Sequence, residues 1–439
     1  MDRYRLFPWK VKDYFRSIKN RVFYGWWIVI LGSIIQAVGG GILYHSFTVF
    51  FLPLKRDLGV SAAAISLLYG AARLEGGVEG PFIGYLIDRW GPRVLIIAGA
   101  ALAGVGMILL STVQSYFSFF IIYIFIVSLG FNAGVYHPVS TAVNAWFIRR
   151  RALSLSITTA AGNIGGIVMP PLLSYLILDF GWRTGVVIAG VLILAIILPA
   201  AIPIHRFPEG MGLKPDGYGG EEEKGDDSPG RKPKRIEIEF TVREALVTLQ
   251  YWVLALAIAL RILVTVALLT HLVPVLAWKG MSEVSGAYMV SLAALGSILT
   301  SLFLGWTGDR WNKALLCSLA AIPTVLSMVG IILSSSPFIL LAYPIGLATT
   351  FGAIPLNWSL IGDFFGRRSF GTLRGIIGIG TGIGTFISPI YAGWIFDRTA
   401  SYVVVLTNLS IILTVAAVLF AMLAHPSFLA PKKRFSPAD

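Results

Sequence analysis

The chain has 439 residues, 56% hydrophobic and 13% charged, with a mean hydropathy of +0.78. That balance excludes an ordinary soluble domain and makes the lipid bilayer the solvent. A net charge of +13 would suit nucleic-acid binding in a soluble protein, so its distribution along the chain decides its meaning.

Runs of about 20 apolar residues cross a hydrocarbon core as helices, because backbone groups in lipid must be satisfied within the segment. Twelve such runs are predicted, at 24–52, 61–87, 94–112, 118–142, 152–177, 183–204, 249–276, 284–307, 314–333, 338–360, 370–395 and 402–424. The expected fold is an all-α membrane protein of twelve transmembrane helices in two pseudo-symmetric six-helix bundles. A tail (1–23), a bundle (24–204), a linker (205–242), a second bundle (243–425) and a tail (426–439) follow from it. With the N-terminus inside, 27 of the 35 Lys and Arg fall in cytoplasmic segments. Five (Lys55, Arg56, Arg183, Lys279, Arg398) are external, and Arg73, Arg261 and Arg374 lie within spans. This positive-inside bias accounts for the charge without nucleic acid and places both termini in the cytoplasm. One cysteine, Cys317, excludes an intrachain disulfide and a cysteine-rich metal site. The first span is too long for a cleavable signal core and is expected to serve as its own signal.

In chain order, residues 1–23 mix cations with aromatic and aliphatic side chains and suit an interfacial segment on anionic lipid. The first span carries Gly39, Gly40 and Gly41, then Tyr44 and His45. In the second, Gly76, Gly77, Gly80 and Gly84 fall within about 60° of Arg73 on a helical wheel, so Arg73 lies along a stripe that another helix or a cavity can approach. Glu75 and Glu79 share a face about 200–240° from Arg73. The fourth span bears Asn132, Tyr136 and Ser140 at i, i+4, i+8, a polar stripe that must face protein or water. Pro, Gly and opposed charge runs in 205–242 cannot bury a core and read as a solvated linker. The seventh span has Arg261 near its middle and His271 towards its outer end, a candidate symmetric partner of His45.

The halves repeat. Gly84-Tyr85-Leu86-Ile87-Asp88-Arg89-Trp90-Gly91-Pro92-Arg93 returns 221 residues on as Gly305-Trp306-Thr307-Gly308-Asp309-Arg310-Trp311-Asn312-Lys313. An offset of 218 carries Phe147 to Phe365, Arg149 and Arg150 to Arg367 and Arg368, Gly162 to Gly380 and Pro171 to Pro389. Two short loops with Gly and Asp-Arg between membrane-length segments resemble the signature loops of the major facilitator superfamily, which join its helices 2 and 3, and 8 and 9. Within it, Tyr24-Gly25-Trp26-Trp27 and the stretch from Trp146-Phe147 through Arg150-Arg151 to Leu153 resemble the monocarboxylate porters and oxalate/formate-type antiporters. Animal monocarboxylate porters carry charges in the eighth span, and the oxalate-type antiporters place cations in the eighth and eleventh; here the eighth is uncharged until Asp309, so the expected anion site uses Arg73 or Arg261.

No P-loop, zinc-protease helix, nucleophile elbow or metal-ligand spacing is present, so neither an enzyme nor an ATP-driven pump is expected, and no cofactor or metal. A secondary carrier needs only a polar site between repeated bundles. The resemblance implies a monomeric carrier of the cytoplasmic membrane, in contact with membrane lipid, that moves a small organic anion, a mono- or dicarboxylate, by alternating access with proton coupling or exchange. The alternatives are a proton-coupled drug exporter and a transporter-like sensor. The candidate substrate contacts are Arg73, Arg261, Asn132, Tyr136, His45 and His271; Glu75 and Glu79 are candidate proton carriers. Asp88, Arg89, Arg93, Asp309, Arg310 and Arg374 are candidate gating residues. For Arg261 the other reading is a buried pair with Glu75 or Glu79.

Overall fold

The computed structural model describes residues 23–60, 62–216 and 239–425. The interfacial segment of the first tail, the charge runs of the linker, the last tail and some side chains within helices, Arg73 among them, lie outside the described residues. Ten helices are long and apolar enough to cross a membrane. One of these, Arg151–Ala201, is broken at Gly181 (φ 80°, ψ 159°), a conformation open to glycine, and so supplies the fifth and sixth spans. The helix Ala62–Trp90, diluted by its charged residues, is the second. Twelve spans result, in the order and near the positions that apolar run length predicts.

Each half has its own core. One cluster of buried side chains runs from Ile28 to Ile204. Two others lie between Phe240 and Leu423, joined there by Ala152 alone from the first half. The first span is compound: Gly25–Gly39, a π-helical turn Gly40–His45, then Phe47–Asp57. Its glycines admit neighbours, since a Cβ at Gly41 would lie 2.7 Å from the Gly165 carbonyl oxygen of the fifth span. The fourth span contains two more π-helical stretches, Tyr123–Ser128 and Asn132–Tyr136, before Pro138 opens the segment His137–Trp146.

Helix starts are capped locally in five spans, where Ser115, Thr248, Ser282, Asn312 and Ser336 accept from the first-turn N–H groups. Before spans five and eleven, Arg150 and Ser369 form no side-chain cap. Their orphan donors are met from the other half. Asp309 accepts from the N–H groups of Ala152 (2.8 Å) and Leu153 (3.1 Å). Asp88 accepts from the N–H groups of Gly371 (3.0 Å) and Thr372 (2.7 Å) and from Thr372 Oγ1 (2.6 Å). Each carboxylate thereby sits on the positive end of a helix that belongs to the opposite bundle.

The arginines of these loops turn back on their own helices, Arg89 to the Tyr85 hydroxyl and Arg310 to the Trp306 carbonyl. Bundle-to-bundle contact on this face continues through Arg151, which pairs with Asp363 at 2.8 Å, while Lys313 holds the same carboxylate at 2.7 Å. Burial pushes the Asp309 carboxyl up to about 6, against the opposing pull of Lys313 and the two N–H groups. Arg367 donates to the Ala145 carbonyl (2.9 Å) and pairs with Glu209 (2.9 Å). The two ends of the linker grip equivalent turns: Asp216 accepts from the N–H groups of Ile148, Arg149 and Arg150, and Glu239 from those of Arg367 and Arg368.

Along the second and eleventh spans the bundles meet backbone to backbone. A Cβ at Gly80 would fall 2.9 Å from the Gly375 carbonyl oxygen, one at Gly77 2.8 Å from Gly382 Cα, and one at Gly84 would collide with the Gly371 carbonyl. The glycine stripe beside Arg73 is therefore occupied by the eleventh span.

Candidate substrate cavity

A cavity of about 290 Å³ lies between the bundles, inward of the Asp88 and Asp309 contacts. The fourth span contributes the largest share of its wall, from Tyr123 and Ser128 through Asn132 and Tyr136 to His137 and Ser140. Leu43, Tyr44 and His45 come from the first span, Thr158 and Asn163 from the fifth, Phe351 and Trp358 from the tenth. All three π-helical stretches among the described residues border this space, where a widened turn re-aims side chains that a regular helix would stack.

The lining from the eleventh span is Arg374, Gly378, Thr381, Gly382 and Thr385. Arg374 is the one cation among the described lining residues, and it is 5% exposed. Its Nη1 donates to the Tyr136 carbonyl (3.1 Å) and to Ser140 Oγ, both on the fourth span. Its guanidinium lies 4.5 Å from the centre of the Trp358 ring. Among the described residues no carboxylate pairs with it and Nε has no hydrogen-bond partner. A buried guanidinium without a counter-charge is costly in a low dielectric, which makes it a seat for an anion.

Other expected site residues are distributed unevenly. Asn132, Tyr136 and His45 line the cavity. His271 does not; it bonds the Tyr402 hydroxyl and the Pro389 carbonyl, each at 3.0 Å, so the proposed symmetry with His45 does not extend to position. Arg261 is fully buried inside the second half, where Nη1 bonds Asn357 Oδ1 (3.1 Å), Nη2 bonds the Cys317 carbonyl, and the Phe420 ring stacks 4.2 Å from Cζ. It reaches neither the cavity nor Glu75 and Glu79. These glutamates stand behind the cavity wall: Glu75 accepts from Ser128 Oγ at 2.6 Å, and both oxygens of Glu79 are buried without a hydrogen-bond partner among the described residues.

Two residues of the site were not anticipated in their roles. Arg374 was expected at a gate and lines the cavity, and His137, with Nδ1 buried and unpartnered among the described residues, lines it as well. A signal for Arg374 existed in the sequence: Gly378, Thr381 and Thr385 follow it at i+4, i+7 and i+11, on one helical face.

The sequence profile of the Major Facilitator Superfamily matches residues 29–389. The chain belongs to that superfamily and is a multi-pass membrane transporter. It is 24% identical over 416 residues to the uncharacterized MFS-type transporter YcxA of Bacillus subtilis, covering 90% of this chain and 94% of that one. Bovine monocarboxylate transporter 13 is 23% identical, with 86% and 84% covered, and the oxalate:formate antiporter of Oxalobacter formigenes is 26% identical over 52% and 50%. Among solved structures, FucP in the outward conformation superposes with a TM-score of 0.68 at 14% identity over 90% of this chain and 98% of that one. A bacterial homologue of the iron transporter ferroportin gives 0.70 at 12% over 91% and 99%.

Proposed function

We propose that this transporter moves a small organic anion, a carboxylate, through the inter-bundle cavity by alternating access, and that Arg374 is its anchor. The observation that carries this reading is the edge of that guanidinium. Nη1 is committed to the fourth span, whereas Nε and Nη2, the edge that forks onto a carboxylate, have no partner among the described residues. Relatives named as monocarboxylate transporters and an oxalate:formate antiporter support the substrate class. We read the Asp-Arg loops and both termini as cytoplasmic from the positive-inside bias, and on that reading the conformation described is shut on the cytoplasmic side. Asp88 and Asp309 act as the cytoplasmic latch, and Glu75 and Glu79 are the carboxylates placed to exchange protons behind the wall.

The test is counterflow in proteoliposomes with formate, pyruvate, oxalate and benzoate as probes. Arg374→Gln abolishes uptake of the transported probe while Arg374→Lys retains part of it, since an ammonium keeps the charge but not the fork. Full counterflow by a folded Arg374→Gln protein would refute the assignment.

A further inference from the structure

Resting on the anion reading above, we infer that Arg374 is also a strut that holds the empty carrier shut on the cytoplasmic side, so that exit of substrate is driven by exchange. Arg374 belongs to the second bundle, and both acceptors of its Nη1, the Tyr136 carbonyl and Ser140 Oγ, belong to the first. The contact is part of the cavity wall, next along the eleventh span from the Asp88 latch at Gly371 and Thr372. Opening the cytoplasmic face separates these bundles at this level, so the strut must break.

In the empty carrier nothing among the described residues neutralises the guanidinium. Its full charge therefore strengthens the two hydrogen bonds to the fourth span, and breaking them strands a buried cation. A carboxylate on the Nε and Nη2 edge supplies the missing counter-charge from within the second bundle. It weakens the pull of Nη1 on Tyr136 and Ser140 and leaves no stranded charge when the bundles part. The anion thus has a larger interaction free energy with the parting bundles than with the strutted ones, which is the differential affinity that a ligand-driven transition requires. Loaded carrier reorients; empty carrier waits facing outward.

The asymmetry has a direction. Net entry ends with the empty carrier returning into the strutted state, a step the strut favours. Net exit requires the empty carrier to leave that state, a step the strut slows. Exit of labelled carboxylate from preloaded cells should accelerate about tenfold when unlabelled carboxylate is present outside.

Ser140→Ala removes one of the two acceptors and leaves the helix intact, because the Ser140 hydroxyl otherwise bonds only the carbonyls of its own preceding turn. The trans-stimulation ratio should fall towards one in this variant. A ligand-free measurement separates the two claims. A reporter Ser156→Cys in a Cys317→Ser background sits at the closed contact, where its hydroxyl position faces Gly305. Maleimide labelling of this reporter without any carboxylate should be faster in Ser140→Ala than in its absence. Equal labelling overturns the strut whatever the substrate. Absence of transport for all four probes, with labelling still faster, refutes the substrate reading and leaves the strut standing; transport without trans-stimulation overturns the exchange claim alone.

Discussion

Replacing Asp88 by Asn should open the cytoplasmic face, and the size of the effect can be worked from three hydrogen bonds. The carboxylate accepts from two N–H groups at 3.0 and 2.7 Å and from a hydroxyl at 2.6 Å, all at the start of the eleventh span. A charge-assisted bond exceeds a neutral one by about 1 kcal/mol, and a charge at a helix N-terminus contributes about 0.3–1 kcal/mol more. Water recovers part of this when the face opens, which leaves about 2–3 kcal/mol, or between one and two orders of magnitude in the ratio of open to shut. The Ser156→Cys reporter lies on the fifth span, at the other inter-bundle seam, and reads bundle separation instead of local fraying. Its maleimide labelling should accelerate about tenfold or more in Asp88→Asn. Thr372→Val, which deletes only the hydroxyl bond, should give a smaller acceleration. An unchanged labelling rate in a monodisperse Asp88→Asn protein would refute the latch.

Arg261→Gln should destabilise the protein by several degrees in Tm, because Asn357 Oδ1 and the Cys317 carbonyl lose a buried donor at about 1–3 kcal/mol each. Adding Glu79→Gln should not restore it, and rescue would show a contact that the structure lacks. Cysteine at the exposed position Lys214 should resist impermeant thiol reagents applied outside intact cells, and labelling there would invert the topology.

The helices were legible because a bilayer leaves the chain little choice: a run of about 20 apolar residues must be a helix, and Gly, Pro and charge mark its ends. The expectation that Asp88 and Asp309 act at a gate had a related basis, since an acid in a tight loop at the membrane surface has few donors to find besides a helix N-terminus, but which bundle supplies that helix was not legible. What the sequence could not convey directly was azimuth. Chain position gives the depth of an intramembrane cation but not the direction it faces, and Arg261, at mid-span, looked better placed for substrate than Arg374.

In the structure it is Arg374 and not Arg261 that borders the cavity, and the neighbours on each helical face explain why. From Arg261 the positions i+4, i+7 and i+11 are Thr265, Leu268 and Leu272, all buried in the core of the second half. From Arg374 the same positions are Gly378, Thr381 and Thr385, small or hydroxylic, and all of them line the cavity. A face that continues in leucine has packed against protein: Arg261 bonds Asn357 and the Cys317 carbonyl, and although its Nε also lacks a partner among the described residues, that atom does not border the cavity. A face that continues in glycine and threonine leaves room beside the guanidinium. That room, together with the bare Nε edge, is the feature on which both the proposed carboxylate site and the proposed strut rest.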